Sequence, residues 1–141
     1  MKTSELKGAA LDWAVAKCEG MLEVIHDTTS GELWYYDREA GSDKHFWPTT
    51  DWSQAGPIIE REGIDLTHYY KNWGAYAWPN HSGEPWPTDY EEKMKRIRGK
   101  PASMMILQHG PTPLVAAMRC YVASKLGDEV EIPEGLGGVT A

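Results

Sequence analysis

Gly110-Pro111-Thr112-Pro113-Leu114-Val115-Ala116-Ala117-Met118-Arg119-Cys120-Tyr121-Val122-Ala123-Ser124-Lys125-Leu126-Gly127 is the stretch whose reading organises the fold. Thr112 is a preferred helix cap, and Pro113 suits the first helical position, where a missing N–H leaves nothing unpaired. Leu114, Met118, Tyr121, Val122 and Leu126 then recur at helical spacing, and Gly127 is a stop. A second helix is predicted over residues 3–18. Thr3 or Ser4 serves as its cap and Glu5 sits in its first turn. Leu6, Ala10, Trp13, Ala14 and Lys17 are spaced along it, and Gly20 ends it. Helices therefore close both ends of the chain.

Between them the pattern changes to short alternating runs. Residues 22–25 and 33–36 read as a hairpin around Asp27-Thr28-Thr29-Ser30-Gly31, followed by a polar loop over 37–44. Thr50 or Asp51 caps a helix that Gly63 stops, with Pro57 restarting it. Residues 64–69 and 74–78 alternate as strands, 79–87 is a Pro- and Gly-rich loop, 88–98 a short helix, and 103–107 a strand. Sequential hairpins with helices at the ends predict an α+β fold. The expectation is a single domain over residues 1–133, a small antiparallel sheet packed by the N-terminal and C-terminal helices, and a flexible acidic, glycine-rich tail over 134–141.

Composition narrows the function classes. The chain has 141 residues, 14 basic and 21 acidic, and a formal charge of −7, which disfavours a general nucleic-acid binder. No apolar run approaches the ~18–20 residues of a membrane span, and the polar Met1-Lys2-Thr3-Ser4 start does not read as a signal peptide. Two cysteines, Cys18 and Cys120, do not make a disulfide scaffold, so a reduced cytoplasmic protein is expected. Aromatic usage is skewed. There are 7 Trp and 7 Tyr but 1 Phe, and all except Trp13 and Tyr121 lie between Trp34 and Tyr90. Trp and Tyr carry a polar tip and suit half-buried walls more than sealed cores.

Few residues read as chemistry. His26, His45, His68, His81 and His109 are scattered without ligand spacing, so no metal site and no cofactor are expected. No nucleophile elbow is present, and both cysteines fall on apolar helix faces, where a thiol behaves as a small hydrophobe. Catalytic residues are therefore none. Two features remain. The helix start at Thr112, with Arg119 behind it about two turns further in, can hold an anion or simply be a well-made cap. The belt of Trp34, Tyr35, Tyr36, Trp47, Trp52, Tyr69, Tyr70, Trp73, Tyr76, Trp78 and Trp86 can be core, ligand wall or protein interface. The cluster Lys93, Lys95, Arg96, Arg98 and Lys100 reads best as a solvated face balanced by Glu91 and Glu92.

The opening Lys2-Thr3-Ser4-Glu5-Leu6 with Ala10-Leu11-Asp12-Trp13-Ala14-Val15-Ala16 resembles the phage NinX-like family. So do the block Thr49-Thr50-Asp51-Trp52-Ser53-Gln54-Ala55-Gly56-Pro57-Ile58-Ile59-Glu60-Arg61, Trp73-Gly74-Ala75, and residues 110–124 with Gly127-Asp128-Glu129-Val130-Glu131-Ile132-Pro133. Residues 37–46 and 79–102 are longer than in short members, so the basic cluster is a local addition. The resemblance implies a phage- or prophage-encoded accessory protein in the cytoplasm of the bacterial host, and transfers no catalytic role.

Together these readings predict a non-enzymatic protein that binds a small anionic, nucleotide-like ligand and, by analogy, sequesters a host defence signal. The expected ligand-binding residues are Trp52, Arg61, Trp73, Thr112 and Arg119. The alternative is an interaction module that docks a host or phage protein through its Trp/Tyr surface. A homodimer also fits such a surface, while nucleic acid and membrane partners are disfavoured.

Overall fold

The computed structural model describes residues 1–21, 24–27, 29–80 and 84–136. The chain is α+β. Among the described residues four helices, α1 (Gly8–Cys18), α2 (Trp52–Glu62), α3 (Tyr90–Ile97) and α4 (Pro113–Leu126), accompany six strands. These are β1 (Val24–Asp27), β2 (Glu32–Asp37), β3 (Ser42–His45), β4 (Asp65–Tyr69), β5 (Asn72–Ala77) and β6 (Ile106–Gly110). The strands divide into two antiparallel sheets, β1-β2-β3 and β4-β5-β6, rather than one. The polar stretch expected to be a loop after β2 is itself a hairpin, because Asp37 accepts the Glu39 and Ala40 amides and turns the chain into β3.

Helix α4 forms where its signals place it. The Thr112 hydroxyl accepts the Val115 amide at 3.1 Å, Pro113 follows, and Gly127 ends the helix. Its buried residues, Leu114, Ala116, Ala117, Met118, Cys120, Tyr121 and Val122, surround its axis, so it is a core helix rather than a surface one. Sheet β4-β5-β6 and helices α1 and α2 pack around it, and β2 packs in turn on α1. Helix α2 is capped by Asp51, runs unbroken through Pro57 and closes at Gly63 in the left-handed region (φ 62°). At α3 the Asp89 side chain takes the cap.

Three local expectations are corrected. Thr3 does not cap α1. It lies in a separate 3-10 turn, Thr3–Glu5, where its hydroxyl donates to Gly127 O at 2.6 Å and its amide to Asp128 O at 2.8 Å. A fully buried hydroxyl needs a partner, and the chain leaving α4 supplies one. The strand expected over 103–107 begins later, at Ile106, after a 3-10 turn at Ala102–Met104. Within the expected tail, Leu136 is buried in the core, whereas residues 137–141 lie outside the described residues, as do Leu22 and Glu23 of the first expected strand.

Gly110 is where β6 meets α4. A Cβ there would stand 2.7 Å from the Ala116 amide nitrogen and 3.0 Å from Val115 Cγ1, a collision with backbone that no rotamer relieves. Gly110→Ala is therefore expected to destabilise the fold by about 1–3 kcal/mol, the range for overpacking a tight contact. Urea unfolding monitored by tryptophan fluorescence measures it, and an unchanged midpoint would contradict this packing.

Candidate functional site

Strand alternation gives the β1-β2-β3 sheet two unlike faces. Val24, Leu33 and Tyr35 point inward, with Tyr35 edge-on to Phe46 at 5.8 Å. The pairing Ile25↔Trp34↔His45 and Tyr36↔Asp43 puts Ile25, Trp34, Tyr36, His45, Asp27, Glu32 and Asp43 on the opposite face. Here the rings stack. Trp34 lies on His45 at 5.0 Å with planes 13° apart, and His45 lies on Trp47 at 3.8 Å. Ile25 is 66% exposed, Tyr36 50%, Trp47 43% and Trp52 55%, so the face is open and apolar at the same time. Large apolar side chains exposed together on one sheet face make it a candidate binding surface.

The corner carrying Trp47 is held from several directions. The Gln54 side chain accepts the Trp47 amide at 2.8 Å and donates to His45 O at 2.7 Å, bracketing the residue between β3 and α2. The amides of Thr50 and Asp51 both donate to Trp47 O. Beneath them, buried Asp12 of α1 accepts the Thr49 amide at 3.0 Å. Burial pushes the Asp12 carboxyl up to about 7 against the pull of that hydrogen bond. Exposed Asp51 is the reverse case: hydrogen bonds from Ser53 hold its carboxyl below the ordinary range. Sequence reasoning passed over Asp12, His45 and Gln54. A lone acid on an apolar helix face was the one signal that pointed to Asp12.

The five expected ligand-binding residues do not converge. Trp52 opens α2, next to the Trp47 corner. Arg61 ends α2 in an ion network: Nη1 and Nη2 donate to the Glu19 carboxylate at 3.3 and 3.0 Å, Nε donates to Glu62 at 2.9 Å, and Nη2 reaches Tyr121 Oη at 3.2 Å. Burial would lower its pKa, but Glu62 and Glu19 more than offset this and raise it. Trp73, Thr112 and Arg119 gather at the β6–α4 corner. Trp73 pairs with Gly110 and stacks on His68 at 4.6 Å, and the Thr112 hydroxyl is taken up as the α4 cap. Arg119 donates to Leu6 O and His109 O, both at 2.8 Å, and lines a cleft of about 360 Å³ with Ser4, Gln108, His109 and Pro111.

The other features settle into structure. Lys93 pairs with Asp65 at 3.1 Å, Lys95 with Glu92 at 2.9 Å and Arg96 with Glu84 at 3.2 Å, so the basic cluster is balanced partly from outside its own helix. Trp86 is buried beneath Gly63, and Arg96 lies over its ring. Burial pushes both thiols, Cys18 and Cys120, up to about 12, away from nucleophilic character. No helix among the described residues is long and apolar enough to cross a membrane.

Fold and site define a small two-sheet α+β protein with an open aromatic face. Over residues 2–125 the chain matches the family model described as Bacteriophage P22, NinX, and it belongs to that family. No curated protein matches it.

Asp12 yields a pH prediction. Its carboxyl is raised from 3.8 to about 7 in the fold, so across that window the folded state holds a proton that the unfolded chain has released. Stability contributed by this group is present at low pH and is lost as pH rises through about 7. Asp12→Asn keeps the acceptor for Thr49 and removes the ionisation. It is expected to flatten this part of the pH profile and to raise the Tm by on the order of 5 °C at about pH 8. Thermal melts across the window check it, and parallel profiles for the two proteins would refute it.

Proposed function

We propose that this protein is a phage accessory protein of the bacterial cytoplasm that acts by binding rather than catalysis, and that it docks a protein through the outer face of β1-β2-β3 and the Trp47 corner. The observation carrying this is the stacked row Trp34–His45–Trp47, half-buried at Trp34 and His45 and exposed at Trp47, beside exposed Ile25 and Tyr36. Large aromatic side chains already locked by stacking lose little freedom on association, which is why they serve as interface anchors. The elevated thiols of Cys18 and Cys120 also fit a non-catalytic reading.

A second reading, a small anionic, nucleotide-like ligand, is favoured by one feature. Arg119 lies at a cleft and donates only to carbonyls, so among the described residues no carboxylate neutralises it. It predicts that a nucleotide panel raises the Tm of the full chain and that Arg119→Gln removes the gain.

The docking reading is tested by placing a photo-crosslinking residue at Ile25 in phage-infected bacteria. A discrete protein adduct is expected there. None is expected from the same residue at Leu107, which is also exposed, on the outer face of the other sheet. Absence of an adduct at Ile25, or equal adducts at both positions, would overturn it.

A further inference from the structure

We infer that the outer face of β1-β2-β3 receives a cationic segment of its protein partner, bearing arginine or lysine, seated on Trp34 and Trp47 and ringed by Asp27, Glu32 and Asp43. The inference rests on the docking reading and names the chemistry of the occupant.

The argument is charge complementarity set by the pleat. Register puts three carboxylates on the same face as the aromatic row: Asp27 and Glu32 opposite one another across β1 and β2, and Asp43 opposite Tyr36. No strand position of that face holds Lys or Arg, and its histidine, His45, lies 3.6 Å from the Glu32 carboxylate, leaving Asp27 and Asp43 without a strand cation on that face. The strand lysine, Lys44, points to the other face and is tied to Asp37 at 2.9 Å. Asp27 stays ionised at neutral pH, because the Thr29 and Ser30 amides hold its carboxyl below the ordinary range. Indole faces carry negative π density that attracts guanidinium and ammonium groups. Carboxylates at the rim then pair with the same groups. The other occupants are disfavoured by the same charges. Nucleic acid or an anionic lipid surface would be repelled, and a second copy meeting face to face would set these carboxylates against their own kind.

The test uses the full chain, isotopically labelled, titrated with a synthetic peptide alternating arginine and glycine and with its glutamate counterpart. Resonances of the Trp34 and Trp47 indole N–H groups are followed. The arginine peptide is expected to shift both and the glutamate peptide neither. Asp27→Asn/Glu32→Gln/Asp43→Asn keeps the side-chain shapes, and the Asn at 27 keeps the turn acceptor. It is expected to weaken the arginine peptide about tenfold or more, and added salt is expected to weaken it too. Unmoved indoles, equal binding of the glutamate peptide, or unchanged affinity in the triple variant each overturn the inference. So does a concentration-dependent dimer, seen by light scattering, that Trp34→Ala abolishes, since that gives the face to a second copy. If the Ile25 adduct still forms in cells while the peptide results fail, the cationic assignment alone falls. If both fail, the docking reading falls with it.

Discussion

Helix α4 is buried around most of its circumference, and one guanidinium ties it to two of its neighbours, the N-terminal segment and β6. Arg119 Nε donates to Leu6 O, 113 residues away in sequence, and Nη1 donates to His109 O in β6. Burial disfavours its charged form and lowers its pKa, yet two carbonyl dipoles satisfy the group without an opposing charge. The same junction draws in the N-terminus. Thr3 clamps to Gly127 and Asp128, and the Met1 amine donates to Val130 O. The N-terminal segment is therefore tied both to the middle of one helix and to the chain leaving its C-terminal end. Gly110 removes the side chain that would otherwise keep β6 off it.

That arrangement explains the aromatic distribution. A helix packed on all sides at close range favours small and aliphatic partners, and the core around α4 is Ala10, Ala14, Val15, Ala75, Ala77, Ala116, Ala117 and Val122. Large rings find little room there. Tyr121 is the exception, reaching the boundary where its hydroxyl joins Arg61 and Glu19. Most of the remaining rings lie on the sheets, on helix ends or in loops, and Trp34, on the outer face of β1-β2-β3, stacks with His45 and through it Trp47 instead of on the core.

Much of this was legible in advance, and the limits have physical causes. Thr112, Pro113 and Gly127 delimit α4, and Asp51 and Gly63 delimit α2, because capping and left-handed closure are local events within a few residues. The α+β class followed from alternation and helical spacing, which are also local. Division into two sheets did not, since which hairpin edges pair depends on what α4 excludes. Thr3 misled for the same reason: its partner stands 124 residues away. At the site, aromatic excess pointed to a working surface, but period-2 parity decided its place. Trp34 and Tyr36 face out while Tyr35, between them, faces in. Arg61 and Thr112 were legible as polar groups at helix ends. Their roles in an ion network and a cap appear only once Glu19 and Val115 are in contact with them.

The two candidate sites differ in what the fold leaves unsatisfied. At the β6–α4 corner the polar groups largely have partners within the chain: the Thr112 hydroxyl accepts the Val115 amide, the Thr112 carbonyl accepts the Ala116 amide, and Arg119 donates to two carbonyls. An anion arriving there competes with bonds that keep α4 in place, so binding would act against the core. On the outer face of β1-β2-β3 the structural hydrogen bonds run through the backbone ladder and the Gln54 bracket, and the exposed side chains of Ile25, Tyr36 and Trp47 take no part in them. Asp27 too uses one carboxylate oxygen for its turn. A partner there covers apolar surface and adds ion pairs at the rim without breaking a bond on which the fold depends. Of the two, the acidic, tryptophan-bearing sheet face is the one that can be covered at no cost to its own scaffold, whereas the well-capped end of the central helix is not.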